Sequence, residues 1–292
     1  MCKIFPTFAP QTHQTMSIEK AILNRTRLLV GEDIMERIAA TRVIIFGVGG
    51  VGSWCAESLV RSGIRELTIV DSDRVCITNV NRQSPATMKT IGMVKVEALK
   101  AKLLDINPKA KIQAIQDIYS ADTRETFHLE DYDYIIDAID SLECKAELIR
   151  HATSLPKHVK FFSSMGAALK MDPTQIRVDE FWNVKGCPLA RALRQKFKRS
   201  QQFPRRKFRV VYSPEVLPNR GTASTCGTAA CMCPKAENGP GRQDLLNHEW
   251  CSQKAQINGT MAHTTAIFGF TLAGLILQDI YQQTGEDRPA NN

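Results

Sequence analysis

Short apolar runs alternate along this chain with stretches in which apolar residues recur at helical spacing. The first five runs are VIIF at 43–46, LTIV at 67–70, KIQAI at 111–115, YIIDAI at 134–139 and KFFSS at 160–164. Short continuous apolar runs separated by helices are typical of buried parallel strands. The pattern therefore predicts an α/β fold, a Rossmann-like doubly wound sheet that is mainly parallel.

The breaks between the runs set the limits of the predicted elements. A helix over 94–104 should end before Asn107-Pro108, and a helix over 143–154 should end before Pro156. From about residue 175, the strand-like segments QIRV and FRVVY flank a basic helix and complete the same domain. The first 16 residues have no apolar core of the kind a signal peptide needs, so we expect a disordered N-terminal extension.

A glycine-rich turn follows the first apolar run. The sequence GVGGVG contains Gly47, Gly49, Gly50 and Gly52 and opens a helical segment. In this arrangement the first glycine permits the tight turn, the second lets the backbone approach phosphate, and the last permits close packing of helix and sheet. Asp71 ends the run LTIV, 24 residues after Gly47, at the spacing of a ribose-hydroxyl acceptor, and Asp73 follows it. A turn that binds nothing is the alternative, but the order of strand, glycines, helix and acid favours a nucleotide site.

Side chains further along distinguish NAD from ATP. The run NVNRQ holds Asn79, Asn81, Arg82 and Gln83, and Lys95 follows. A dehydrogenase has no use for such a set, whereas Arg and Lys suit phosphate oxygens. Asp137 and Asp140 end the fourth run and would face the ligand crevice, where one could hold Mg²⁺. Either cation alone would more often be solvated surface charge, but together the groups favour ATP.

The segments GVGGVG, DSDRVCITNVNRQ and GMVKVEALK resemble the adenylating domain of the ubiquitin-activating-enzyme superfamily, the ThiF/MoeB group, over roughly residues 24–164. The resemblance implies that ATP converts a carboxylate into an acyl-adenylate. It assigns ribose binding to Asp71, phosphate contacts to Asn79, Arg82 and Lys95, and the magnesium link to Asp140. NRTRLLVGED resembles the arm that carries an arginine into the partner subunit's active site. The implied assembly is a homodimer, and the implied catalytic set is Arg27 (or Arg25 in its place), Arg82, Lys95 and Asp140.

The C-terminal half selects a branch of this superfamily. The segments FFSSMGAALKMDPTQIRVDE, CPLARALRQKFKR, VVYSPE and AIFGFTLAG are similar to the TcdA group of tRNA threonylcarbamoyladenosine dehydratases. The resemblance implies that ATP activates the threonyl carboxylate of the modified adenosine, and that a nucleophile in the same side chain then displaces AMP and closes a ring. A sulfur-transfer partner acts with some relatives. The implied adenylating domain covers 17–285, with a basic insertion around 187–210 and a cysteine-rich loop around 226–251.

The distribution of charge independently favours a nucleic-acid substrate. The net charge is +8, and residues 191–209 hold nine Lys or Arg and no acid, so the rest of the chain sums to 8 − 9 = −1. Such a run is typical of contact with a phosphate backbone. The candidate tRNA contacts are Arg191, Arg194, Lys198, Arg205 and Arg206, and the interleaved Phe197, Phe203 and Phe208 could stack on bases. The alternative is a solvated helix face with Leu189, Leu193 and Phe197 turned inward; both can hold at once.

The sequence assigns no catalytic role to the nine cysteines or to His263. Cys226, Cys231, Cys233 and Cys251 lack the paired CxxC spacing of a structural zinc site, so we expect no zinc. Cys187 precedes Pro188 at a helix start, where its pKa could be lowered as in a thioester nucleophile. In the TcdA group this position needs no thiol, so we interpret Cys187 as incidental. We expect His263 to lie in a core or an interface.

Two other function classes stay open. One is adenylation of the C-terminus of a ubiquitin-like or sulfur-carrier protein, which the basic run fits poorly. The other is an NAD-dependent oxidoreductase or a non-catalytic nucleotide-binding scaffold. The apolar run 266–277 covers 12 residues, short of the roughly 20 that span a bilayer, so we expect a buried helix and no membrane insertion. The expected location is cytoplasmic, with mitochondrial association open for a eukaryotic host.

Overall fold

The computed structural model describes residues 17–221 and 258–283, and a seven-stranded sheet forms the centre of this part of the chain. The strands are β1 Arg42–Phe46, β2 Glu66–Val70, β3 Lys111–Ile115, β4 Tyr134–Asp137, β5 Lys160–Ser164, β6 Arg177–Glu180 and β7 Arg209–Tyr212. Their spatial order is β3-β2-β1-β4-β5-β7-β6, with every neighbouring pair parallel except β6 and β7. The predicted doubly wound, mainly parallel sheet is confirmed.

Helices cover both faces of the sheet. They are α1 Ile18–Ile22, α2 Asn24–Val30, α3 Glu32–Ala40, α4 Gly52–Ser62, α5 Lys95–Ile106, α6 Leu142–Ser154, α7 Pro188–Ser200 and α8 Ala262–Gln282. One hydrophobic core lies between the sheet and α3, α4, α5 and α8, and a second lies between the sheet and α6 and α7. Buried strands with helices on both faces explain why the strand sequences read as continuous apolar runs.

The strand order reverses direction at β1. The chain leaves β1 for β2 on one side, and β4 later pairs with β1 on the other side. In open α/β sheets, ligands bind outside the carboxyl ends of the strands at such a switch point. The glycine turn follows β1 and Asp140 follows β4, so both predicted parts of the nucleotide site lie at this edge.

Two elements differ from their predicted lengths. β4 ends at Asp137, before the apolar run does, because the chain turns there. α8 has 21 residues, not 12, and is the one helix among the described residues that is long and apolar enough to cross a membrane. Half of its apolar window is buried against the fold, and Gly269 lies so close to α4 that a Cβ there would be 2.5 Å from the Val51 carbonyl oxygen. Packing on α4 therefore accounts for much of its apolar composition.

The proposed domain limits stay a prediction. The extension 1–16 and the cysteine-rich loop 226–251, with Cys226, Cys231, Cys233 and Cys251, lie outside the described residues.

Candidate nucleotide site and basic flank

The glycine turn packs directly against the loop that follows β4. Gly47 has φ +83°, and a Cβ there would lie 2.6 Å from the carbonyl oxygen of Ala138. A Cβ on Gly52 would lie 1.9 Å from the carbonyl oxygen of Gly47. Neither position therefore admits another residue without movement of the backbone. At Gly49 the nearest protein atom would be 3.7 Å away, on Gln83, so the protein's own packing leaves space there.

A buried ion cluster lies beside this turn at the end of β2. Asp71 accepts hydrogen bonds from the backbone N–H of Val48 (2.8 Å, to Oδ2) and of Asp73 (2.9 Å, to Oδ1). The Lys95 ammonium, at the first residue of α5, donates to both Asp71 oxygens at 2.9 and 3.2 Å and to Asp73 at 2.9 Å. The Lys95 side chain is 4% exposed. Burial alone would lower its pKa, but the two carboxylates outweigh burial and raise the pKa of Lys95 above its usual range.

The NVNRQ segment is fixed over the start of α4. The Asn79 side-chain oxygen accepts a hydrogen bond from the backbone N–H of Cys76 at 3.0 Å. The Arg82 guanidinium donates to the carbonyl of Thr78 at 2.8 Å, and the Arg82 carbonyl accepts from the Trp54 indole at 2.9 Å. The buried Gln83 Oε1 has no hydrogen-bond partner among the described residues. The Gln83 Nε2 is the protein atom nearest to the Cβ position of Gly49, so this side chain lies beside the glycine turn.

A second polar network holds the end of this segment. Glu57 on α4 accepts from the Ser84 hydroxyl at 2.5 Å and pairs with Lys102 on α5 at 3.0 Å and with Arg61 at 2.9 Å. Burial raises the pKa of Glu57, but these hydrogen bonds together lower it below its usual value. The network ties the segment that carries Arg82 to two helices.

The two carboxylates after β4 have different environments. Asp137 is fully buried: Lys145 on α6 pairs with it at 2.8 Å, the Ser163 hydroxyl donates to it at 2.6 Å, and the Ile139 N–H donates at 3.1 Å. Of the two candidate magnesium ligands, the structure therefore removes Asp137, because its oxygens are enclosed and paired. Asp140 is exposed, with no hydrogen-bond or ion-pair partner in the described part of the chain.

Lys145 is a residue that the sequence reasoning missed. Its side chain is 0% exposed, and besides pairing with Asp137 it donates to the Ile139 carbonyl at 3.0 Å. It thus holds both ends of the short loop that leads to Asp140. A signal existed: Lys145 falls at helical spacing with the inward-facing Leu148, Ile149 and Ala152 of α6, where a charge needs a partner.

The predicted arm residue Arg27 lies on α2 and pairs with Glu32. No described contact joins Arg27 to the cluster of Gly47, Asp71 and Asp140 within this chain. Arg25 is exposed, and so are Leu28 and Leu29, at 79% and 81%. Described contacts thus join the glycine turn to Asp71, Asp73 and Lys95. Asn79 and Arg82 lie in the segment whose Gln83 packs against Gly49, and Asp140 follows the loop that packs on Gly47. Arg27 has no described contact with any of them.

The predicted tRNA contacts of the basic insertion around 187–210 fall into two groups, exposed residues and residues that hold the fold. Arg191, Lys198 and Arg205 are exposed. Arg194 donates to the Phe181 carbonyl at 3.0 Å, and its guanidinium lies 5.8 Å from the Phe181 ring centroid. The Arg206 guanidinium donates to four backbone carbonyls at and beyond the end of α6, which are those of Ala152, Leu155, Pro156 and Val159. RNA contact by Arg194 and Arg206 stays a prediction, but their described contacts are those of residues that hold the fold.

The predicted stacking role is wrong for two of the three phenylalanines. Phe197 and Phe208 are 1% and 5% exposed and pack against Phe181, with ring centroids 6.0 and 5.0 Å away. The alternative prediction, an apolar side of α7 turned inward, is confirmed by burial of Leu193 and Phe197. Phe203 is 46% exposed and stays available.

Cys187 and His263 have local structural environments. Cys187 is 3% exposed in the second hydrophobic core, which fits the interpretation that it is incidental. His263 is half-buried and its Nε2 lies 2.9 Å from the carbonyl oxygen of Met171. No group of three or more His, Cys, Asp or Glu within 17–221 and 258–283 has the arrangement of a metal site.

Comparison with known proteins shows the family of the chain. A model of the ThiF family matches residues 23–292. The tRNA threonylcarbamoyladenosine dehydratase of Haemophilus influenzae is 35% identical over 73% of this chain and 82% of its own length. The protein of the same name from Escherichia coli is 34% identical over 84% of this chain and 88% of its own length. The crystal structure of the E. coli dehydratase, TcdA, in complex with ATP superposes with a TM-score of 0.73 at 28% identity, covering 92% of this chain and 97% of that chain.

Proposed function

Because the chain belongs to the ThiF family, we propose that it is an ATP-dependent dehydratase that cyclises threonylcarbamoyladenosine in tRNA through a carboxyl-adenylate. The observation that carries the proposal is the similarity to dehydratases of this name over most of both chains, together with an intact nucleotide cluster at the switch point. The E. coli relative binds ATP, and the same ligand suits the residues after β1, β2 and β4 here.

The ribose of ATP would bind at Asp71. A carboxylate offers about four acceptor positions, and Val48, Asp73 and Lys95 already fill those of Asp71. A ribose hydroxyl must therefore displace a bond, and the 3.2 Å contact from Lys95 is the longest. Displacement would turn the Lys95 ammonium toward the phosphates. The pyrophosphate-side oxygens would lie over the glycine turn, where N–H groups and the start of α4 favour an anion.

The reaction would proceed in two displacements. A carboxylate oxygen of the substrate attacks the α-phosphorus, an oxygen–phosphorus bond forms, and pyrophosphate leaves. A nucleophile in the same side chain then attacks the activated carbonyl carbon and AMP leaves with that oxygen, so the nucleoside loses one water overall. Arg82 and Lys95 supply fixed positive charge where negative charge develops on phosphorus. Mg²⁺, when bound, neutralises phosphate charge, and the exposed Asp140 carboxylate fits it because Mg²⁺ often takes one carboxylate plus phosphates.

The same proposal includes a homodimer. No described contact joins Arg27 to the nucleotide site of its own chain. Leu28 and Leu29, which follow it on α2, are exposed. An arm that crosses to a second copy would bury both leucines and place Arg27 at the partner's phosphates. A sulfur-transfer partner remains part of the proposal, and so does a cytoplasmic place of action.

The RNA surface would be the exposed side of α7 and the chain after it. Arg191, Lys198 and Arg205 are the predicted tRNA-binding cations that are exposed there. Removing one cation that binds a phosphate of a flexible RNA should lower the slope of log affinity against log salt by roughly 0.7. Neutralising all three residues should therefore flatten the slope for tRNA by roughly 2, and an unchanged slope would place the tRNA elsewhere.

Mass spectrometry of nucleosides tests the activity itself. Threonylcarbamoyl-modified tRNA is incubated with the protein, Mg²⁺ and ATP, then digested. The expected product is lighter than the starting nucleoside by the mass of one water, and only when ATP is present. No loss of mass with protein that binds ATP would contradict the proposal. Release of AMP only on addition of a small carrier protein would instead favour adenylation of a ubiquitin-like or sulfur-carrier C-terminus.

A further inference from the structure

A pocket that shares no residue with the nucleotide cluster lies between the C-terminal half of α6 and the chain that follows α7. Its volume is about 550 Å³, within the range of ligand pockets in proteins. Its charged and aromatic lining residues are Arg124, Glu147, Arg150, His151, Phe203 and Arg205. None of the steps assigned above to the nucleotide site uses this cavity.

The pocket carries an excess of positive charge. Three arginines line it against one carboxylate, Glu147, whose side chain is 11% exposed. Glu147 pairs with both Arg124, at 3.2 Å, and Arg150, and so holds two guanidiniums in place on the pocket wall. The Arg205 guanidinium has no hydrogen-bond or ion-pair partner in the described part of the chain. Arg124 also pairs with Glu125, outside the pocket lining, at 2.8 Å. Two carboxylates therefore face three guanidiniums, and the remaining positive charge favours an anion.

An aromatic face stands beside these cations. Phe203 is 46% exposed, and its ring centroid lies 6.3 Å from that of Trp182, which supports it. His151 lies on the pocket wall, with its Nδ1 2.5 Å from the Tyr119 hydroxyl oxygen. Fixed guanidiniums next to an exposed ring are the pair of features that single-stranded RNA recognition uses, with phosphate on the cations and a base on the ring.

We propose that this pocket binds an unpaired nucleotide of the RNA substrate, with its phosphate on Arg150 and Arg205 and its base against Phe203. The proposal rests on the proposed function and names a subsite for it. α6 begins two residues after Asp140, and Arg150 lies eight residues further on, about 12 Å along the helix axis. The nucleotide held here is therefore not the modified adenosine but another residue of the same RNA. Such a contact would set how the RNA lies when the modified base reaches the switch point.

The test compares Arg205→Ala and Phe203→Ala with Arg209→Ala. Arg209 is an exposed arginine of the same basic segment that does not line the pocket, so its removal changes net charge as Arg205→Ala does. Affinity for modified tRNA is measured by fluorescence anisotropy at fixed salt, and kcat and KM by nucleoside mass spectrometry. We expect each pocket variant to weaken binding and raise KM about tenfold, with kcat unchanged at saturating tRNA and with a clearly smaller effect of Arg209→Ala.

A short substrate separates this inference from the activity. The free modified nucleoside has no second nucleotide to place in the pocket, so the wild type and both pocket variants should convert it at equal rates. If the wild type converts tRNA and either pocket variant binds tRNA as Arg209→Ala does, the pocket is not a nucleotide site. If the wild type converts no substrate at all, the proposed function fails instead.

Discussion

Replacing Lys145 by methionine should reveal how far Asp140 depends on the buried ion pair beneath it. Lys145→Met keeps the length of the side chain but removes the ammonium, leaving Asp137 buried without its counter-charge. Asp137 would retain its bonds from Ser163 and Ile139. The Ile139 carbonyl would lose its donor. The variant therefore perturbs both the fold and the loop that ends at Asp140.

The magnitude follows from burial. Both partners are 0% exposed and 2.8 Å apart, so no solvent screens the remaining carboxylate. Breaking one side of such a pair destabilises a protein by roughly 3–5 kcal/mol. With a urea slope of roughly 2–3 kcal/mol per molar, the unfolding midpoint should fall by about 1–2 M. Asp137→Asn combined with Lys145→Met removes both charges and should recover more than half of this loss, because no unpaired charge stays buried.

Activity is measured on the double variant, in which the fold is restored but the Ile139 carbonyl still lacks its donor. We expect kcat to fall while KM for ATP stays near that of the wild type, and the Mg²⁺ concentration for half-maximal rate to rise. Leu103→Ala is the control: Leu103 is fully buried on α5, away from the loop, and its truncation costs a comparable roughly 2–5 kcal/mol. At temperatures where it is folded, its Mg²⁺ dependence should match the wild type.

Three results would refute this reasoning. A loss of stability below about 1 kcal/mol in Lys145→Met would mean that the buried pair is not the paired charge the structure describes. Equal stability of the single and double variants would mean the same. An unchanged Mg²⁺ dependence in the double variant would show that the pair supports the fold alone and does not position Asp140.

Three further predictions concern the site and its supports. Asp140→Ala should lower AMP formation at least about 100-fold while the unfolding midpoint stays put, since the side chain is exposed; retained turnover would remove Asp140 from the site. Arg27→Ala should also be inactive, and mixing it with Asp140→Ala protomers should restore up to about a quarter of wild-type activity if each site takes Arg27 from its partner; no rescue argues against a shared site. Glu57 has a lowered pKa in the fold, so its contribution to stability is present above its unfolded pKa of 4.5 and is lost as pH falls through the lower folded value. Stability curves of Glu57→Gln and the wild type should therefore converge in acid, and a constant difference between them at all pH values would contradict this linkage.

The sequence predicts the sheet well because burial on both faces forces continuous apolar strands. The runs VIIF, LTIV and YIID were recognisable for this reason, whereas KIQAI forms the edge strand β3, which is only partly buried. Parallel topology then placed the carboxyl ends of these strands at one edge. Local motifs also identified Asp71 and Lys95, whose ion pair lies at the end of β2.

Contacts between segments that are far apart in the sequence could not be predicted. Nothing near Arg206 in the chain shows that it caps α6, because the carbonyls it contacts lie about 50 residues away. Phe197, Phe203 and Phe208 look alike in a basic run, yet packing on Phe181 buries two and exposes one. Asp137 and Asp140 likewise look equivalent in the sequence. Only the structure shows that Lys145 pairs with Asp137 and leaves Asp140 exposed.

The saturated carboxylate of Asp71 bears on selectivity among ligands. Lys95 donates to both oxygens of Asp71, so under the proposed function the lysine would compete with the ribose of any nucleoside for that carboxylate. Adenosine alone would displace Lys95 and leave a buried ammonium short of one partner. The phosphates of ATP would accept a hydrogen bond from the displaced Lys95 ammonium. This bond would replace the one that the ribose took from Asp71. Discrimination of ATP from adenosine would thus begin at the sugar, several bonds away from the groups that differ.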